Sequence, residues 1–193
     1  SRGLGDVYKR QRLYSYPVLN DYKNLWDVAN LLLQKTPSDN FTATMKLTFT
    51  PNPKNKGERT GLVVMGRDYA GIILENTDKG LVLSQVECKK ADKGKPEQAN
   101  ASVDLSQNTV YLKVRFSYDG KKIKGSEGGH DLIVMCNFSY SLDGKKYQPL
   151  GNPFQAREGQ WIGTKVGMFC TRPAIVTNDG GWADVDWFRI TKK

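Results

Sequence analysis

Near the C-terminus, the stretch GGWADVDWFRI, residues 180–190, sets Asp184 and Asp186 between Trp182 and Trp187. Paired carboxylates act as general acid and base in sugar hydrolysis, and flat indole rings are natural platforms for pyranose rings. On a strand, residues two apart point to the same side, with Cα atoms roughly 6.5 Å apart. That is close to the roughly 6.5–9.5 Å between the carboxyl groups of inverting glycosidases. The directions do not suit the chemistry. Acid and base must stand on opposite sides of the sugar, whereas neighbours on one strand face project in parallel. The pair is better read as structural, accepting hydrogen bonds from loop N–H groups or pairing with Arg or Lys. A cation-ligand role for the two carboxylates stays open. Strict alternation puts Ala183, Val185 and Trp187 on one face and Asp184, Asp186, Phe188 and Ile190 on the other. Both faces are then partly apolar, which implies a strand covered on both sides, with Trp187 in packing or at an interface.

Other reactive residue types form no complete constellation. His130, the only histidine, follows Gly128 and Gly129 in a sequence that reads as loop, and no Ser/His/Asp pattern accompanies it. Gly66-Arg67-Asp68-Tyr69 reads as a turn; the chain has no G-x-x-x-x-G-K-[ST] phosphate loop. Cys88, Cys136 and Cys170 are widely spaced, with no Cys-x-x-Cys pair. Structural zinc takes four Cys or His ligands, so neither a metal centre nor any other cofactor is implied. Three reduced thiols are the simplest reading, which favours a reducing, cytoplasmic setting over the periplasm; one disulfide with a free thiol is the alternative.

The elements that must position these residues are strands. In Phe41–Thr50, apolar Phe41, Ala43, Met45, Leu47 and Phe49 alternate with four threonines and Lys46, giving one dry and one wet face. Further strand-like runs cover 60–66, 71–75, 81–88, 109–118, 131–141, 161–170 and 182–190. Asp143-Gly144 signals a hairpin, and Asp119-Gly120 and Lys79-Gly80 are weaker copies of it. Residues 27–34 are the best candidate for a helix of about two turns, and 51–57 read as a loop. Many short strands with regular turns predict an all-β fold, an antiparallel two-sheet β-sandwich.

The 193 residues carry a formal net charge of +9, with 38% hydrophobic and 25% charged residues, ordinary for a soluble globular domain. No apolar run approaches the roughly 20 residues of a membrane span. The basic excess is scattered in pairs such as Lys121-Lys122 and Lys145-Lys146, not gathered into a nucleic-acid stripe. The opening SRGLGDVYKRQ, residues 1–11, reads as the translation of a sequencing-library adapter. It is set apart as a non-native leader, which leaves 12–193 as one domain and implies that whatever preceded Arg12 is lost.

Three strings in order carry a family resemblance: ERTGLVVMGRDYAGIILE (58–75), FSYSLDGKKYQPLGNPFQAREGQWIGTKVGMFC (138–170) and ADVDWFRI (183–190). LWDVANLLLQKTPSDNFTATMKLTFTP (25–51) precedes them. The chain resembles the C-terminal concanavalin-A-like β-sandwich, a jelly roll, of family 43 glycoside hydrolases, nearest to two-domain β-xylosidases and α-arabinofuranosidases. The likeness covers essentially 12–193. Relatives often have an aromatic where this chain has Val185, and 121–130 read as an insertion.

The resemblance implies a partner, an N-terminal catalytic β-propeller of the same chain that holds all three catalytic carboxylates. The intact enzyme would remove terminal xylose or arabinose from xylo-oligosaccharides, and it would tend to be a homo-oligomer. The sandwich would contribute no catalytic residue. It would help close the substrate pocket through a loop at 167–173, with Phe169 as an apolar wall and Arg172 as a polar contact nearby. Arg157 and Glu158 could form an ion pair at the interface or on the surface. A free-standing lectin-like carbohydrate-binding module is the alternative, and an oligomerisation scaffold a third.

Overall fold

In a computed structural model, the described residues are 6–38, 40–124, 130–157, 164–174 and 179–192. Fourteen strands follow in order: β1 (Asp6–Tyr14), β2 (Tyr16–Pro17), β3 (Leu32–Lys35), β4 (Phe41–Thr50), β5 (Arg59–Met65), β6 (Tyr69–Thr77) and β7 (Gly80–Cys88). Then come β8 (Gln98–Leu105), β9 (Thr109–Lys124), β10 (His130–Ser141), β11 (Gln148–Pro149), β12 (Phe154–Arg157), β13 (Lys165–Arg172) and β14 (Trp182–Lys192). They form two sheets. Sheet A runs β1-β14-β4-β9-β10-β11, with β12 also on β10; sheet B runs β2-β13-β5-β6-β7-β8, with β3 also on β13. All pairings are antiparallel except that of β2 with β13. This is the expected sandwich.

The main core lies between the sheets. The inward positions of β4 (Phe41, Ala43, Met45, Leu47 and Phe49) are fully buried. They meet Leu62, Val64, Ile72, Leu74 and Met168 of sheet B. Phe41 stacks on Phe116 of β9 with ring centroids 4.2 Å apart. Such offset stacking adds roughly 0.5–1.5 kcal/mol to the burial itself.

Sheet B has a second dry face. Val63, Met65, Tyr69, Ile73, Cys88 and Phe169 point away from the main core and are roofed by Leu25 and Val28, with Val18, Tyr22 and Trp26 at the margin. This explains why β5, β6 and β13 read as unbroken apolar runs rather than alternating ones. The roof is also where the helix expectation for 27–34 fails. Leu25–Asp27 is a single 3-10 turn, capped by Asn24, and Leu32–Lys35 pairs with β13 as a strand. Packing onto sheet B and an open sheet edge outweigh a weak helical period.

Other boundaries shift less. The Asp143-Gly144 turn is a longer connection than a two-residue hairpin, since β10 pairs with β11 only from Tyr140 to Gln148. The strand run through Asp119-Gly120 continues, and Lys122–Lys124 pair with His130–Leu132. Within the expected insertion, residues 125–129 lie outside the described residues, as do Glu158 and 161–163. Residues 1–5 of the leader lie outside them too. From Asp6 onward the residues expected to be a leader pair with β14 as the start of β1, in the register Gln11↔Val185 and Arg12↔Asp184.

The family string Glu58-Arg59-Thr60-Gly61 holds the fold together. Buried Glu58 accepts the N–H of Asn52 at 2.6 Å and of Gly181 at 2.8 Å, tying the 51–58 loop to the start of β14. Arg59 pairs with Glu97, and with Glu75 at 3.5 Å. Thr60 Oγ1 donates to the Phe169 carbonyl at 2.8 Å. A Cβ at Gly61 would strike the backbone of Ile72, so only glycine fits there.

Candidate functional site

Strand β14 carries the two carboxylates and runs between β1 and β4. A β-bulge changes its alternation: Val185 pairs with Leu47, yet Trp187 pairs with the next residue of β4, Lys46. Asp186 is the extra residue, and from it onward the faces exchange. Ala183, Val185, Phe188 and Ile190 are therefore all buried in the main core. Trp187 turns outward, correcting the expected grouping of Trp187 with Ala183 and Val185. The strand is covered on one side, not both.

Both carboxylates already have cationic partners. Asp184 receives Arg12 in a two-pronged contact, Nε to Oδ1 at 2.8 Å and Nη2 to Oδ2 at 3.1 Å. The hydrogen bonds that Arg12 donates to Asp184 hold its guanidinium above its ordinary pKa. Asp186 lies 3.3 Å from Lys46 Nζ, and that hydrogen bond raises the lysine. A cavity of about 350 Å³ lies beside them, lined by Arg10, Gln11, Arg12, Asp184, Val185 and Asp186. Its carboxylates are tethered on one strand, and the described residues that line it include no other carboxyl and no imidazole. Among the described residues no cluster of three His, Cys, Asp or Glu side chains could hold a metal ion.

The expected pocket wall lies elsewhere. Residues 167–172 are not a loop but most of β13, held between β5 on one side and β2 and β3 on the other. Glycine and the alternating Met168 and Phe169 suit a strand buried on both faces. Phe169 is 1% exposed, inside the second core beneath the 18–33 roof. Arg172 is half-buried, and its guanidinium donates to the Ser15 carbonyl where the chain passes from β1 to β2. The two residues share a strand but point into different surroundings.

Sequence reasoning missed a partly buried polar cluster at the margin of the second core. Tyr69 donates to Glu97 at 2.7 Å and accepts the N–H of Leu25 at 3.2 Å. Burial pushes the Tyr22 hydroxyl up to about 12 and raises Tyr69 as well. Burial opposes the charge on Arg59, but attraction to Glu97, and after it to Tyr22 and Glu75, keeps it above its usual value. The group fastens the roof to sheet B. Glu97 and Arg59 are 38 residues apart, so spacing gave no signal. All three thiols are free and buried; burial raises Cys88 to about 11 and Cys170 to about 12, so neither is a ready nucleophile.

The fold agrees with what the chain resembles. The family model for the β-xylosidase C-terminal concanavalin A-like domain matches residues 10–191. The chain belongs to this family. Solved structures similar to it include a bifunctional GH43-CE protein of Bacteroides eggerthii, with a TM-score of 0.76 at 22% identity. The match covers 94% of this chain and 21% of that one. The GH43 BlXynB protein of Bacillus licheniformis gives 0.70 at 21% identity, covering 95% and 33%. A xylan β-1,4-xylosidase of Bacillus halodurans C-125 gives 0.69 at 20%, covering 95% and 33%. This family member therefore spans a third or less of those GH43 chains. No curated protein matches its sequence.

Proposed function

We propose that the chain is the C-terminal accessory domain of a glycoside hydrolase that removes terminal xylose or arabinose from hemicellulose oligosaccharides. The observation that carries this reading is coverage. Nearly the whole chain aligns with a third or less of solved GH43 enzymes, one of them described as a xylan β-1,4-xylosidase. The rest of such an enzyme is the partner, a catalytic propeller preceding the sandwich.

The N-terminal edge of the sandwich suits that partner. Tyr14, Tyr16 and Leu19 are exposed large apolar residues, placed where the chain crosses from sheet A to sheet B. Phe169 lies in the second core, against which Val18 packs, and Arg172 donates to Ser15. In this reading they shape the substrate pocket from behind, by fixing the surface that faces it.

The test is hydrolysis of a nitrophenyl xyloside and a nitrophenyl arabinofuranoside. The purified chain should release no nitrophenol. The same sandwich joined to the domain encoded upstream of it in an intact gene should release it. Turnover by the chain alone that disappears in Asp184→Asn or Asp186→Asn would overturn the proposal.

A further inference from the structure

Strand β7 turns polar towards its end. Leu81 and Leu83 pack in the main core, Gln85 follows on the same side with no exposed surface, and Glu87 comes next, half-buried. Gln85 is a buried clamp. Its Oε1 accepts the N–H of Asn152 at 3.0 Å and the side-chain amide of Asn100 at 2.9 Å, and its Nε2 donates to the Val86 carbonyl at 2.9 Å. The first bond holds the connection between β11 and β12, residues 150–153, against sheet B. Gly151 in that connection has φ +80°, and a Cβ there would strike the Gln85 side chain. The second bond fixes Asn100, the extra residue of a β-bulge on β8, where Gln85 pairs with Ala101 and Val86 with Ala99. The same amide also reaches Glu87 at 3.5 Å.

Beside this clamp lies a cavity of about 520 Å³, within the range of roughly 300–1,000 Å³ usual for small-molecule sites. The sheet B side contributes Asp68, Glu87 and Lys89 to its lining; the sheet A side contributes Asn152 and Gln155 with the apolar Met135 and Pro153. Glu87 and Lys89 also line a neighbouring cavity of about 240 Å³, together with Lys95, Pro96 and Gln98. The charges of the two linings balance, Asp68 and Glu87 against Lys89 and Lys95. An anion or a cation would meet a like charge in either cavity. A neutral polyhydroxylated ligand finds acceptors in the carboxylates, a donor in each ammonium group and both in the amides. Asp68 is already oriented, since its Oδ1 accepts the N–H of Lys90 at 2.7 Å, and a carboxylate has acceptor sites for about three bonds more. Met135 and Pro153 offer apolar surface to the C–H face of a sugar ring.

We infer that these adjoining cavities bind a neutral pentose oligosaccharide, with sugar units in both and the chain passing Glu87 and Lys89. Asp68 and Glu87 accept from ring hydroxyls. Lys89 and the amides of Asn152 and Gln155 donate to hydroxyl and ring oxygens. The buried Gln85 touches no sugar and acts as a positioning residue, holding Asn152 and Asn100 in place before the ligand arrives, which lowers the ordering cost of binding. The balanced polar lining selects a neutral polyol; that the polyol is a pentose chain rests on the reading of this domain as part of a hemicellulose-processing enzyme.

Two-dimensional NMR and calorimetry on the full 193-residue chain test it, with xylotetraose as the probe and calcium chloride as the competing cation. Titration with xylotetraose should move the side-chain amide signals of Asn152, Gln155 and Gln98 together, with a dissociation constant on the order of 0.1–1 mM. Raising salt should leave that constant unchanged, because the ligand is uncharged. Glu87→Gln should weaken binding roughly tenfold, the loss of about one charge-assisted hydrogen bond. Gln155→Ala, at an exposed position, should weaken it as well with the unfolding midpoint unchanged, so the site is tested even if the Glu87 variant is less stable. No shift at about 10 mM xylotetraose, shifts confined to residues outside the two linings, wild-type affinity in both variants, or displacement of the sugar by calcium would each overturn the inference. Each of these results leaves the hydrolysis test of the reunited enzyme unaffected, so the two readings fail separately.

Discussion

Glu58 gives the strongest test of how the family string works. Its carboxylate is fully buried and faces two backbone N–H groups, those of Asn52 and Gly181. Hydrogen bonds to a charged group contribute about 1.5–3 kcal/mol each, and an orphaned buried donor costs about 1–3 kcal/mol. Glu58→Ala removes both contacts and should cost about 3–6 kcal/mol. Glu58→Gln keeps the shape and one acceptor oxygen but turns an amide NH₂ towards the second N–H. It should cost about 2–4 kcal/mol. Domains of this size are stable by about 5–15 kcal/mol, so the alanine variant should be close to unfolding. The assay is urea denaturation followed by tryptophan fluorescence, since Trp182 is the residue after Gly181. With a slope of about 2 kcal/mol per molar urea, Glu58→Gln should lower the midpoint by about 1–2 M. Glu75→Gln is the control. That carboxylate is 43% exposed in its pair with Arg59, and its loss should cost less than about 1 kcal/mol. A Glu58→Gln midpoint no lower than that of the control would refute the argument that this carboxylate ties the loop to β14.

Two further outcomes follow from the same reasoning. Phe169→Ala should destabilise the chain by about 3–5 kcal/mol, the usual cost of emptying a buried phenylalanine site; a loss below about 1 kcal/mol by urea denaturation would show that the roof does not pack on it as described. Asp143 accepts the N–H groups of Lys145 and Lys146, and these bonds hold its carboxyl down at about 2. Its folded pKa is thus below the unfolded value of about 3.9. Its contribution is complete above about pH 4 and is lost as pH falls towards 2. A carboxyl titration by NMR should place Asp143 near that value, with the 142–147 turn loosening only below about pH 3; an ordinary titration near 4 would refute it.

Much of this architecture was legible because side-chain alternation is local. Phe41–Thr50 announces both its strand and its buried face through an alternation read from neighbouring residues alone. Glycine in apolar runs marked β5, β6 and β13. The long ordered strings carried the family, and with it the sandwich. Two features were hidden. Gln98–Leu105 has an alternating but largely polar face pattern and forms a strand because β7 offers it an edge. The short 3-10 turn at Leu25–Asp27 was masked by an apolar stretch that fits a helix equally well.

The sequence by itself determined most of the long strands and the family, because each depends on neighbours along the chain. The tertiary structure decided that Trp187 turns outward, that Phe169 is roofed by residues 18–33, and that Arg12 reaches Asp184 across a separation of 172 residues. Those outcomes depend on which strand lies alongside which. A bulge of one residue in a pairing register exchanges the faces of everything beyond it, and no local period encodes where that extra residue falls.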